Sequence, residues 1–143
     1  MNTGPTPVAR VARVRRWWGE RGVLASVVAT TAPSLVLTFD DGPDPANTPR
    51  VLEVLRDRGA SATFFVLMTR VRREPRLLAE LMAAGHEVGL HGPDHRVLTQ
   101  FSSREVRRRT EEARRELEDV TGTAVRWFRP PYGAQTPATW VGV

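Results

Sequence analysis

The chain contains no cysteine and no lysine. The first absence excludes disulfides, thiolate nucleophiles and cysteine–zinc sites, and leaves the compartment open. The second means that all 21 basic residues are arginine, against 16 acids, for a formal charge of +5. A positive excess of that size favours solubility and attraction to anionic polymers. It is not a nucleic-acid signature, because the arginines are spread along the chain in local clusters and no basic patch is interleaved with aromatics. The all-arginine usage is read as a composition bias of the coding DNA. Also missing is the run of about 20 apolar residues that a membrane helix needs. The apolar stretch 23–32 is interrupted by Ser26, Thr30 and Thr31 and closed by Pro33, so no stable membrane span is expected. There is no internal repeat and no low-complexity segment beyond the short ends.

What is present fits one domain or part of one: 143 residues, of which 41% are hydrophobic, enough to bury a core. Residues 1–33 form a basic and apolar lead-in, with Arg10, Arg13, Arg15 and Arg16 before Trp17 and Trp18. A basic start followed by a short apolar run resembles an export signal. Glu20 and Arg21 directly before the run, and Pro33 at the place of cleavage, favour an ordinary amphipathic segment and a cytoplasmic location.

Residues 34–143 carry the patterned domain. It is organised around 35–43 (LVLTFDDGP), an apolar run that stops at two acids and a turn. This predicts a buried strand delivering Asp40 and Asp41 at its C-terminal end. Adjacent residues on an extended chain point to opposite sides, so the two acids are expected to have different neighbours and roles. Thr48 is the expected N-cap of a helix with Pro49 at its first position, running to Arg58 and stopped by Gly59. Residues 60–67 (ASATFFVL) read as a buried strand. A helix is expected over 75–84, with Leu77, Leu78, Leu81 and Met82 inward and Gly85 as its stop. Residues 87–91 (EVGLH) read as a short strand ending at histidine. Ser102 and Glu105 match a capping box for a long helix to about Val120, with Val106, Thr110, Ala113, Leu117 and Val120 on one face and Gly122 closing it. Residues 124–128 (AVRWF) read as a fourth strand, followed by the loop 129–133 (RPPYG).

Strands alternating with helices indicate an α/β protein with a mostly parallel sheet, whose ligands bind at the C-terminal strand ends. Three of the four predicted strands end there in site-like residues: Asp40-Asp41, His91 and Arg129. His91 and His95, separated by Gly92-Pro93-Asp94, are close enough to share one divalent metal from a loop. A carboxylate from Asp41 would make a two-histidine, one-aspartate set with a position left for water, the pattern of a catalytic site. His86, at a strand start, is read as structural or surface.

TFDDGP, HGPDH and RPPYG, in that order, closely resemble the three leading motifs of the polysaccharide deacetylase family, the NodB-like enzymes of carbohydrate esterase family four. ATFFV and GHEVGLH also look like that family's connecting strands. The resemblance implies a distorted (β/α) barrel and hydrolysis of an N-acetyl group or related amide on a carbohydrate or small amide. It implies that Asp41, His91 and His95 hold the metal, most readily zinc, with cobalt or nickel as alternatives. Asp40 would be the general base, Arg129 its partner, and the backbone N–H of Tyr132 an oxyanion donor, on a loop stiffened by Pro130 and Pro131. Gly92 stands where the family usually has serine or threonine.

The later family motifs, an aspartate–tryptophan segment and a leucine-x-x-histidine that supplies the general acid, have no match. Trp140 lacks the aspartate before it, and the only histidines are His86, His91 and His95. The expectation is therefore a partial barrel, incomplete at the C-terminus, with last strands and helices missing and an exposed strand edge prone to self-association. Two alternatives accompany the deacetylase: a catalytically inactive remnant that still binds a divalent metal, and a basic module binding envelope or nucleic acid.

Overall fold

The computed structural model describes residues 35–140. The lead-in expected over residues 1–33, its reading as an export signal, and Trp17 and Trp18 all lie outside the described residues.

Three strands form a parallel sheet in the order β1 (Thr38–Gly42), β2 (Thr63–Leu67), β3 (Glu87–Gly92). The helices between them are α1 (Thr48–Asp57), the short α2 (Met68–Val71), α3 (Pro75–Ala83) and, after β3, α4 (Ser103–Thr121). A last short helix, α5, spans Pro137–Trp140. Among the described residues no helix is long and apolar enough to cross a membrane.

The period-2 alternation of the strands sorts the sheet into two unlike faces. On one face Phe64, Val66 and Leu90 join Leu55 of α1, Leu78 and Leu81 of α3, and Ala113 and Leu117 of α4 in a single core, with Phe39 stacked on Phe64 at 5.1 Å. The central strand β2 is buried at all five positions, so each large side chain there contributes about 1.5–3 kcal/mol by leaving water. The other face carries Thr38, Asp40, Thr63, Phe65, Glu87 and Gly89. It is held by polar bonds: Thr63 donates to Glu87 Oε2 (2.9 Å), and the Trp127 indole donates to Glu87 Oε1 (2.8 Å).

The capping box is present, with Glu105 N–H donating to Ser102 Oγ (3.3 Å), and Gly122 ends α4 in a left-handed conformation. Val106, Thr110, Ala113 and Leu117 are buried as expected. Val120 is not: the buried stripe stops at Leu117, and Val120, in the last turn, is 54% exposed.

Four other expectations change. The strand predicted from Leu35 begins only at Thr38, and Leu35 and Val36 are exposed. Among the described residues β1 pairs with β2 alone, so its alternating pattern faces core on one side only. Thr48 lies inside α1 and not at its cap: its hydroxyl accepts from Asp44 N–H (2.9 Å), while Asp44 Oδ1 takes the N–H groups of Ala46 and Asn47. Helix α2 was not anticipated, because one turn is too short to show a period. Residues 124–128 do not form a strand. They run beside β3 with one parallel bridge, Leu90 to Phe128, closed by Leu90 N–H to Trp127 O (2.8 Å) and Arg129 N–H to Leu90 O (2.9 Å). Upstream, Val125 N–H turns instead to the Glu118 carboxylate at 3.1 Å, which takes that donor out of any ladder.

Candidate active site

The site is assembled by two irregularities in the sheet. Along β1, Asp40 pairs with Phe65 and Gly42 with Val66, so Asp41 is an extra residue. Along β3, Leu90 pairs with Val66 and Gly92 with Leu67, so His91 is an extra residue. Bulges of this kind re-aim a side chain out of the pleat. Asp41 also takes the left-handed region at φ 68°, which aspartate tolerates better than most residues.

The result gathers the three expected ligands. Asp41 Oδ1 lies 3.4 Å from His91 Nε2 and 3.1 Å from His95 Nε2. One donor atom from each residue falls within 4.8 Å of the others. The His91 side chain is 3% exposed, His95 33% and Asp41 58%, so the cluster is anchored inside and open outside.

His91 Nδ1 lies 2.7 Å from the carbonyl oxygen of Arg129. A carbonyl only accepts, so Nδ1 carries a proton, and in the neutral ring Nε2 presents a lone pair. That lone pair faces the Asp41 carboxylate. Two acceptors aimed at each other call for a cation between them, and a ring nitrogen whose other N–H is tied to a carbonyl is the usual form of a metal-ligating histidine. The donor set therefore fits a divalent ion.

Asp40 faces elsewhere. Its Oδ1 accepts from Arg129 Nη1 at 2.6 Å, and the same nitrogen donates to Thr38 Oγ1 at 3.0 Å. The guanidinium carbon of Arg129 lies 4.0 Å from the centroid of Phe65, a cation–π contact that fixes its plane. Phe65 has room because Gly89 has no side chain: a Cβ there would come within 2.8 Å of the Phe65 ring and 3.2 Å of Trp127 Cβ. The expected separation of Asp40 from Asp41 is seen, and the bulge at Asp41 produces it where simple alternation was expected to.

RPPYG closes the remaining side. Tyr132 is left-handed at φ 59° in the turn Pro131–Gly133, and its ring packs 4.4 Å from that of His95. His86, read as structural or surface, is buried against Phe64, with no hydrogen-bond partner for Nδ1 among the described residues. Sequence reasoning missed Thr38 and Phe65. Both were within reach of it: Thr38 shares a face with Asp40 two residues on, and Phe65 lies opposite Asp40 on the neighbouring strand.

Comparison with known proteins gives the family. The family model for polysaccharide deacetylase matches residues 28–142. The chain belongs to the polysaccharide deacetylase family. It is 44% identical over 105 residues to a chitooligosaccharide deacetylase of Sinorhizobium fredii, a match covering 73% of this chain and 49% of that protein. It is 42% identical over 106 residues to a peptidoglycan-N-acetylglucosamine deacetylase of Listeria monocytogenes, covering 74% of this chain and 23% of that one. Among solved structures, the peptidoglycan deacetylase PdaC of Bacillus subtilis superposes with a TM-score of 0.70 at 36% identity, over 78% of this chain and 55% of that one. The deacetylase fold is thus the fold of this chain, represented in part. The chain spans about half the length, or less, of the curated relatives it matches.

Proposed function

We propose that the chain carries the metal-binding and proton-accepting half of a deacetylase that removes the N-acetyl group of a carbohydrate. The bond broken is a carbon–nitrogen bond outside any peptide. The observation that carries this reading is the convergence of His91 Nε2 and His95 Nε2 on Asp41 Oδ1, with His91 Nδ1 held by the Arg129 carbonyl.

Asp41, His91 and His95 would hold one divalent ion, zinc first, with cobalt or nickel accommodated by the same donors. When bound, the ion would polarise the acetyl carbonyl and lower the pKa of water. The chain's own residues supply the rest. Arg129 occupies Oδ1 of Asp40 and leaves Oδ2 to take a proton from the attacking water. Thr38 and the Phe65 ring hold the Arg129 guanidinium in place, so the base stays oriented. The backbone N–H of Tyr132 would donate to the oxygen on which negative charge develops. The named substrates of the relatives make chitooligosaccharides and peptidoglycan fragments the first candidates.

A second reading is favoured by one observation. His91 and His95 are committed to the metal cluster, and His86 is buried against Phe64. No described histidine is left to protonate the departing amine, which suits a metal-binding remnant without turnover.

Acetate release from N-acetylated chitooligosaccharides, with zinc present, separates the two. Release that disappears in both Asp40→Asn and Asp41→Ala supports the deacetylase. Zinc bound through Asp41 with no acetate released selects the remnant. A chain that binds no zinc contradicts both.

A further inference from the structure

We propose that Arg109 is a positioning residue for His95, fixing through Asp94 the loop that carries this ligand of the proposed metal centre. The inference rests on the metal-site reading above.

The two imidazoles are held very differently. His91 sits in β3, nearly enclosed, with Nδ1 tied to a carbonyl. His95 lies between the end of β3 at Gly92 and the turn Leu98–Gln100, in neither strand nor helix. Among the described residues no hydrogen bond reaches its Nδ1, so its placement depends on the loop and on the Tyr132 ring packed against it.

The loop is secured on both sides of His95. Pro93 O accepts from Thr69 N–H at 3.1 Å. Asp94 Oδ1 accepts from Arg96 N–H at 3.2 Å, which brackets His95 between the two residues. Asp94 Oδ2 accepts from Arg109 Nη2 at 2.7 Å, and this bond ties the bracket to α4. Gly92 has no side chain to contribute: it stands at φ 128°, where a Cβ would lie 3.1 Å from Asp94 O.

Arg109 differs from other arginines of its helix. Arg108, Arg114 and Arg115 pair with glutamates three or four residues away on the exposed side of α4. Arg109 reaches off the helix, its side chain only 17% exposed and its Nε buried without a hydrogen-bond partner among the described residues. Its guanidinium carbon lies 4.7 Å from the Phe101 centroid, with that of Arg96 at 4.6 Å from the same ring. Stacking and the ion pair together allow the guanidinium one place, and Asp94 follows it. An exposed ion pair is a weak constraint, but a partly buried one anchored on an aromatic ring is a stiff link.

The test is zinc affinity of the full chain, measured by competition with a chromophoric chelator, alongside the visible absorption spectrum of the cobalt-loaded protein. Arg109→Gln and Asp94→Asn are each expected to weaken zinc binding about 10-fold, the lower end of the range for groups acting behind a ligand. The double variant is expected to be no weaker than either single one, since both cut the same link. Arg109→Lys, which keeps the charge, is expected to recover part of the loss. Arg108→Gln, which removes solvent-facing pairs of the same helix, is expected to leave affinity and cobalt spectrum unchanged. Should Arg109→Gln fail to fold, as judged by circular dichroism, Asp94→Asn decides alone. Zinc binding within twofold of wild type in the folded variants, while Asp41→Ala has lost it, would overturn the positioning role and leave the metal site standing. A wild-type chain that binds no more zinc than Asp41→Ala would overturn the metal site and this role with it.

Discussion

Asp41 and His91 each occupy the extra position of a β-bulge, and the two bulges flank the same strand, β2, at its C-terminal end. This placement turns two side chains of a regular sheet toward one point while Asp40, one residue earlier, keeps its place opposite Phe65. The support beneath Asp40 makes a testable demand on Gly89. Gly89→Ala would push a methyl group against the Phe65 ring and Trp127 Cβ, and the ring carries Arg129. Overpacking of this kind costs about 1–3 kcal/mol, which urea denaturation would read directly. An unchanged midpoint would show that the ring has space to retreat. At this scale the acids, both histidines and Arg129 were legible from type and spacing. The bulges were not, because nothing in a dipeptide of two aspartates marks which one leaves the ladder. Nor was the Asp94–Arg109 pair, whose members are 15 residues apart and meet only once α4 is docked.

Helices proved more legible than strands. The spacing of Leu77, Leu78 and Leu81, and of Val106, Thr110, Ala113 and Leu117, reports a buried stripe that the packing confirms. Residues 124–128 show why strands are harder: a β-branched and aromatic run satisfies strand propensity, yet the Glu118 carboxylate captures Val125 N–H. Ties between helices are likewise invisible to period. Arg72, at the end of α2, donates to both Glu116 oxygens on α4, through Nε at 2.6 Å and through Nη2. Hydrogen bonding from Arg72 holds the Glu116 carboxyl below its ordinary value of 4.5. A carboxyl depressed by folding contributes stability above its unfolded pKa and loses it as pH falls through the folded value. Because both side chains are substantially exposed, screening limits the pair to about 0.5 kcal/mol. Glu116→Gln is therefore expected to be less stable than wild type by that amount at pH 7, and the gap should close as pH falls from the ordinary carboxyl range through the lowered folded-state pKa. A gap that persists at acid pH would mean that packing, and not charge, carries the difference.

Among the described residues, helices cover one face of the sheet and a polar row lies on the other, and the chemistry-bearing residues converge at the C-terminal strand ends. The α/β class and the parallel sheet were legible from strands alternating with helices, and the family from three motifs in order, two at strand ends and the third after the single bridge to β3. The exposure of β1 was not, since it depends on which strands pair. Metal binding should report on the whole fold. A ligand that binds only the native state stabilises it by about 2.7 kcal/mol at a free concentration 100 times its dissociation constant. Zinc is expected to raise the unfolding free energy of the wild-type chain on that scale, and not that of His95→Ala. The most direct measurement compares zinc affinity in Asp40→Asn and Asp41→Asn. Asp40→Asn should bind zinc within about threefold of wild type, and Asp41→Asn should fall beyond the 10–100-fold loss typical of outer partners. The opposite order, with zinc lost in Asp40→Asn and kept in Asp41→Asn, would contradict the division of labour between the two acids.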